Sequence, residues 1–275
     1  MGILRRRWLH ILLSGLVLLY LVERTLIATQ NPNYIPSAIL LGAFLVPVTF
    51  TAYLYERLPD WEVPLPLIAV CFVWGGVLGT VAAGALEYDM VRALGFLPNL
   101  GIGLIEEGTK LIIPLGLYFV GRYRSEADGM ILGVATAMGF AAFETMGYGL
   151  TSLLASQGNL GTLDGVLFAR GLTSPVGHAA WTGLVCAVLW RERLKVGHMV
   201  FNWRIGGAFL TAVTLHALWD TTYSFCGGTL GRFIGAAVLG LPVALVGMTL
   251  LIQRVREAQR QVEVVSTPDV RGDGV

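Results

Sequence analysis

Apolar residues fall along this chain in eight stretches, near residues 8–22, 36–55, 65–86, 98–120, 128–154, 174–190, 202–225 and 231–253. Each is long enough to approach or cross a hydrocarbon layer of about 30 Å as a helix. Turn-forming residues punctuate them: Asn31-Pro32-Asn33, Leu58-Pro59-Asp60, Gly158-Asn159 and Gly227-Gly228. The pattern predicts an all-α polytopic membrane protein of about eight transmembrane helices, a single domain over residues 1–258. The polar remainder, 259–275, ends Arg-Gly-Asp-Gly-Val and reads as a disordered cytoplasmic tail.

Composition agrees. Of 275 residues 55% are apolar and 13% charged, against about 25% charged in soluble domains; the mean hydropathy is +0.69. No soluble domain, repeat or basic nucleic-acid patch is present. Cys71, Cys186 and Cys226 are too widely spaced for a disulfide framework or a zinc finger, and Cys71 and Cys186 read as small apolar filler. Arg5-Arg6-Arg7 ahead of Trp8–Val22 fits a signal peptide or a first anchor; with no Ala-x-Ala site and Glu23-Arg24 closing the run, a retained helix is expected. With the N-terminus inside, fourteen Lys and Arg fall on one side and only Arg24, Arg92, Arg170 and Arg232 on the other. That bias places both termini in the cytoplasm.

Charge inside the apolar stretches then stands out. Glu106, Glu107 and Lys110 lie within five residues of the fourth, where each ionised group costs about 2.5–3.5 kcal/mol to insert. Lys110 is one turn beyond both carboxylates, so its ammonium can sit between them, leaving one Glu to activate water. In the fifth stretch Phe140 and Glu144 share a face, while Gly129, Gly133, Ala137 and Ala141 form a stripe suited to close helix packing. The seventh carries His216 and Asp220 four apart, the Asp placed to fix the imidazole tautomer. His178 opens the sixth, and Arg170, read as part of the loop before it, is a partner for a site carboxylate. His10 and His198 are boundary residues. The topology puts Glu106, Glu107, Glu144, His178, His216 and Asp220 at one depth, in the outer leaflet. Glu107, Glu144, His178 and His216 also make a ligand inventory for a divalent metal such as zinc. No His-Glu-x-x-His, Gly-x-Gly-Asp or Gly-x-Ser-Gly motif occurs.

Glu106-Glu107-x-x-Lys110, Phe140-x-x-x-Glu144, His178 and His216-x-x-x-Asp220, in this order over about residues 97–225, resemble the PrsW family of intramembrane proteases, relatives of the CAAX prenyl endopeptidases and Abi proteins. The resemblance implies a four-helix catalytic core from the fourth to seventh helices. Glu106 or Glu107 would be the base, Glu144 its helper, and His216 with Asp220 would stabilise the oxyanion. Lys110, Phe140 and Arg170 would support them. It further implies a membrane-embedded protein substrate within the lipid bilayer of a bacterial plasma membrane, cleaved like an anti-sigma factor by a glutamic or metal-dependent mechanism. Single Gln replacements of Glu106, Glu107 and Glu144 are expected to abolish cleavage and leave folding intact. A proton-coupled transporter or channel is the main rival, with a non-catalytic scaffold as another. The absence of an internal repeat and the off-centre polar layer argue against transport.

Overall fold

The computed structural model describes residues 6–58, 62–95, 98–224 and 235–266. The turns at Pro59-Asp60 and Gly227-Gly228, together with Arg5, Cys226, Arg232 and residues 267–275, lie outside them. The helices are α1 (Arg7–Thr29), α2 (Ile35–Arg57), α3 (Leu65–Leu94), α4 (Asn99–Lys110), α5 (Ile112–Val120), α6 (Glu126–Ala155), α7 (Leu160–Val196), α8 (Trp203–Ser224) and α9 (Leu241–Ser266). No strand occurs among the described residues, and the chain is an all-α polytopic membrane protein.

Helix α6 is the axis of the bundle. It starts at a capping box: Asp128 N–H donates to Ser125 Oγ and Ser125 N–H to the Asp128 carboxylate, both at 3.0 Å. Every residue from Glu126 to Ala142 is buried. A Cβ on Gly129 would strike the Trp190 side chain, on Gly133 that of Cys186, and on Gly139 the backbone of Phe72. The small residues of α6 are therefore what bring α3 and α7 against it, as the stripe predicts. Cys71 and Cys186 are both fully buried free thiols in that packing.

Among the described residues six helices are long and apolar enough to cross a membrane; the stretches at 98–120 and 202–225 fall short for physical reasons. Pro114 has no N–H for the Lys110 carbonyl, and the helix breaks at Leu111 into α4 and α5, of 12 and 9 residues. In α8, His216, Asp220 and several threonines dilute the hydropathy. The two deficient segments carry most of the ionisable cluster. Helix α7 begins at Leu160, well before the expected 174, because Asn159 caps its first turn by accepting from Thr162 N–H at 3.1 Å. Helix α9 runs past Gln259 to Ser266.

Candidate active site

Glu107 is the hub of the cluster. It sits near the end of α4, 1% exposed, and both of its oxygens are engaged. Lys110 Nζ donates to Oε1 at 2.9 Å, His216 Nδ1 to the same oxygen at 2.9 Å, and Thr182 Oγ to Oε2 at 2.9 Å. A carboxylate only accepts, so the Nδ1 of His216 carries a proton. Its Nε2 then faces Glu106 Oε2 and Asp220 Oδ2, 3.6 Å from each. Glu107, rather than Asp220, therefore fixes the imidazole tautomer. The Trp181 ring lies against the His216 ring at 4.8 Å and 33°, holding its plane.

Lys110, wholly buried at the helix break, ties the two Glu residues to a second histidine. Its ammonium donates to Glu106 Oε2 at 3.1 Å and to His178 Nδ1 at 2.9 Å, and rests 4.3 Å from the Phe140 ring centroid. An ammonium has no lone pair, so His178 Nδ1 accepts, and Nε2 points to Glu144 Oε2 at 3.4 Å. The π-helical turn Pro175–Ala179 within α7 sets His178 into this position.

Arg170 is not on a loop. It lies inside α7, because that helix extends back to Leu160, and its guanidinium reaches α6: Nη2 stands 2.7 Å from Glu144 Oε2 and Nε donates to Thr145 Oγ at 3.2 Å. The contact to Glu144 is ionic rather than a well-aligned hydrogen bond. A small polar crevice of about 20 Å³ lies beside Arg170, Ser174, His178 and Trp181, room for one water.

All nine residues singled out by the sequence motifs thus meet in one cluster drawn from four helices. The donors that converge are Glu106, Glu144 and His178, with ligand atoms all within 4.8 Å of one another. Glu107 and His216 lie outside that group; both Glu107 oxygens already accept hydrogen bonds, one of them from His216 Nδ1. Two carboxylates and an imidazole suit zinc in kind and number. A cation there would share its carboxylates with Lys110 and Arg170 and would take the place of the His178 Nε2 proton.

One further residue faces the cluster without belonging to any motif. Glu87 lies near the end of α3, and the charges that act on it are those of Glu106, His216, Asp220 and Lys110. The stripe Gly75, Gly79, Ala83, Glu87, one residue per helical turn, is the sequence signal that could have found it. Gly79 meets the Phe140 ring and Ala83 is 3% exposed, so the next position on that face points to the same interior.

No curated protein and no solved structure matches the chain. The model of the PrsW family of intramembrane metalloproteases matches residues 63–252. That match covers well over half of the 275 residues and contains every member of the cluster, from Glu87 to Asp220, and the chain belongs to the PrsW family of intramembrane metalloproteases.

Proposed function

We propose that this enzyme hydrolyses a peptide bond in, or next to, the single transmembrane helix of a membrane-protein substrate, at the outer leaflet of a bacterial plasma membrane. The family supports intramembrane proteolysis, and the fourteen-to-four bias of Lys and Arg supports the orientation. An anti-sigma-factor-like substrate is the resemblance's implication for the substrate class.

The observation that carries the mechanism is the inequality of the adjacent carboxylates. Glu107 accepts three hydrogen bonds and has no oxygen to spare, whereas Glu106 accepts from Lys110 alone among the described residues. Glu106 is therefore the carboxylate that meets the reacting water. His216 Nε2, 3.6 Å from Glu106 Oε2, takes the proton as the water oxygen bonds to the scissile carbon, and returns it to the leaving amine as the C–N bond breaks. Glu107 holds Nδ1–H and, with Asp220, stabilises the imidazolium that forms. Arg170 keeps Glu144 in place beside His178. Glu106, Glu144 and His178 would hold a divalent cation, which when bound would polarise the scissile carbonyl and acidify a water.

The test is cleavage of single-pass substrates by the purified protein in proteoliposomes. Glu106→Gln is expected to abolish product formation, and retained cleavage in that variant would overturn the assignment. Solute or proton flux through the same vesicles, without cleavage by the unsubstituted enzyme, would favour transport instead.

A further inference from the structure

Glu87 is not used by the mechanism above, and three observations define what it could do. First, its position is set by close packing. Gly75 and Gly79 bring α3 so near α6 that a Cβ on them would press on Thr136 and Phe140, and one on Gly79 would also approach the Thr109 carbonyl of α4. Ala83 continues that face one turn on, and Glu87 one turn further. Second, its Oε1 is buried and has no hydrogen-bond partner among the described residues. A buried acceptor without a donor carries a desolvation penalty that an incoming donor removes. Third, the surrounding charge is unbalanced. Among the described residues, Glu87, Glu106, Glu107, Glu144 and Asp220 bring five carboxylates against the permanent cations Lys110 and Arg170, and a divalent cation on Glu106, Glu144 and His178 would still leave one negative charge over.

From these we propose that Glu87 is a specificity-determining residue: it receives a Lys or Arg side chain of the substrate, close to the scissile bond and on the side toward the C-terminal end of α3. The inference rests on the protease reading and names the substrate feature which that reading leaves open. A backbone N–H would also fill the orphan acceptor, but it would meet every peptide alike and leave the charge surplus unchanged. A cationic side chain answers both. Its register follows from the helix rise. Gly79 is level with Thr109, so Ala83 is level with Ile105 on the oppositely running α4, and Glu87 lies about 7.5 Å beyond Glu106 along the axis. An extended peptide advances about 3.3 Å per residue, which puts the cationic residue about two positions from the cleaved bond.

The experiment uses the full-length enzyme in liposomes with a set of single-pass substrates. They carry Lys, Gln or Glu at each of the four positions on either side of the cleaved bond. The unsubstituted enzyme is expected to cleave the best-placed Lys substrate about 10-fold faster in kcat/KM than its Gln counterpart. Glu87→Gln should erase that preference, mainly through KM, and Glu87→Lys should turn it toward the Glu substrate. Equal rates for Lys and Gln substrates in the unsubstituted enzyme, or a Lys preference that survives Glu87→Gln, would overturn the proposal. Photo-crosslinking of the same substrates to the Glu106→Gln protein reads binding without turnover. There Lys should be captured over Gln, and the preference should vanish in the Glu106→Gln, Glu87→Gln double variant. If nothing is cleaved, the protease reading fails by itself, and crosslinking still decides the role of Glu87.

Discussion

Replacing each of the adjacent carboxylates by Gln should separate chemistry from architecture. Glu107→Gln removes a charge that is 1% exposed and accepts from Lys110, His216 and Thr182, each at 2.9 Å. A Gln oxygen can serve one or two of those donors, while its NH2 must face the third. Breaking a buried ion pair by deleting one partner costs about 3–5 kcal/mol, and Glu107→Gln should lose that much. Glu106→Gln removes one bond to Lys110 at 3.1 Å, from a side chain that is 9% exposed, and leaves the ammonium its contacts to Glu107 and His178. Its cost should be about 1.5–3 kcal/mol, the range of one hydrogen bond to a charged group. Equilibrium unfolding in mixed micelles measures both variants, and cleavage in proteoliposomes is scored beside it. The expected pattern is a well-folded, inactive Glu106→Gln and a destabilised Glu107→Gln. Equal stability losses in the two, or an active Glu106→Gln, would refute the division of roles. This departs from the sequence expectation, in which both replacements leave folding intact.

Other outcomes follow from the same contacts. His216→Phe keeps the stacking on Trp181 but removes the proton acceptor, so kcat should fall about 10²–10⁴-fold with the fold preserved by circular dichroism. Arg170→Met frees Glu144; because both side chains are partly exposed, stability should change by under about 1 kcal/mol while activity drops. Arg170→Lys should recover little of that activity, since one ammonium cannot span Glu144 and Thr145 as the guanidinium does. Elemental analysis should find one bound zinc per chain, lost in Glu144→Gln and His178→Ala but kept in Thr182→Val. Gly139→Ala drives a methyl into the Phe72 backbone and should cost about 1–3 kcal/mol in unfolding.

Sequence periodicity made the bundle legible, because lipid-facing and core-facing residues alike must be apolar over a length fixed by the membrane. It also made the Glu106, Glu107 and Lys110 cluster legible, since three charges in an apolar run have few innocent explanations. What it could not supply was everything that depends on the third dimension. Nothing in the run from Leu160 to Ser174 announces that Arg170 sits on a continuing helix, because Gly161, Gly165 and Gly171 make the segment look loop-like. The difference between Glu106 and Glu107 was hidden for the same reason. Two adjacent Glu residues are equivalent in a string, and only Thr182 and His216, brought from distant helices, make them unequal. Glu87 was hidden by its neighbours: Leu86-Glu87-Tyr88-Asp89 reads as a polar edge to the third stretch, whereas α3 continues to Leu94 and leaves Glu87 half-buried with one carboxylate oxygen buried.

The placement of these charges bears on how the site comes to exist. The helices that present Glu106, Glu107, Lys110, His216 and Asp220 are those not apolar enough, by length and composition, to stand as spans alone. At about 2.5–3.5 kcal/mol per charge, α4 would carry an insertion penalty that its own short apolar surface offsets poorly. Lys110 reduces this within the helix by pairing with both carboxylates, but His216, Thr182 and His178 come from α7 and α8. The polar groups are satisfied only once those helices have docked. Assembly of the active site and completion of the bundle are therefore one event. Substitutions at Lys110 or Glu107 should weaken docking of α8 as well as chemistry, whereas substitutions at Glu106, the proposed partner of the reacting water, should disturb docking less than chemistry.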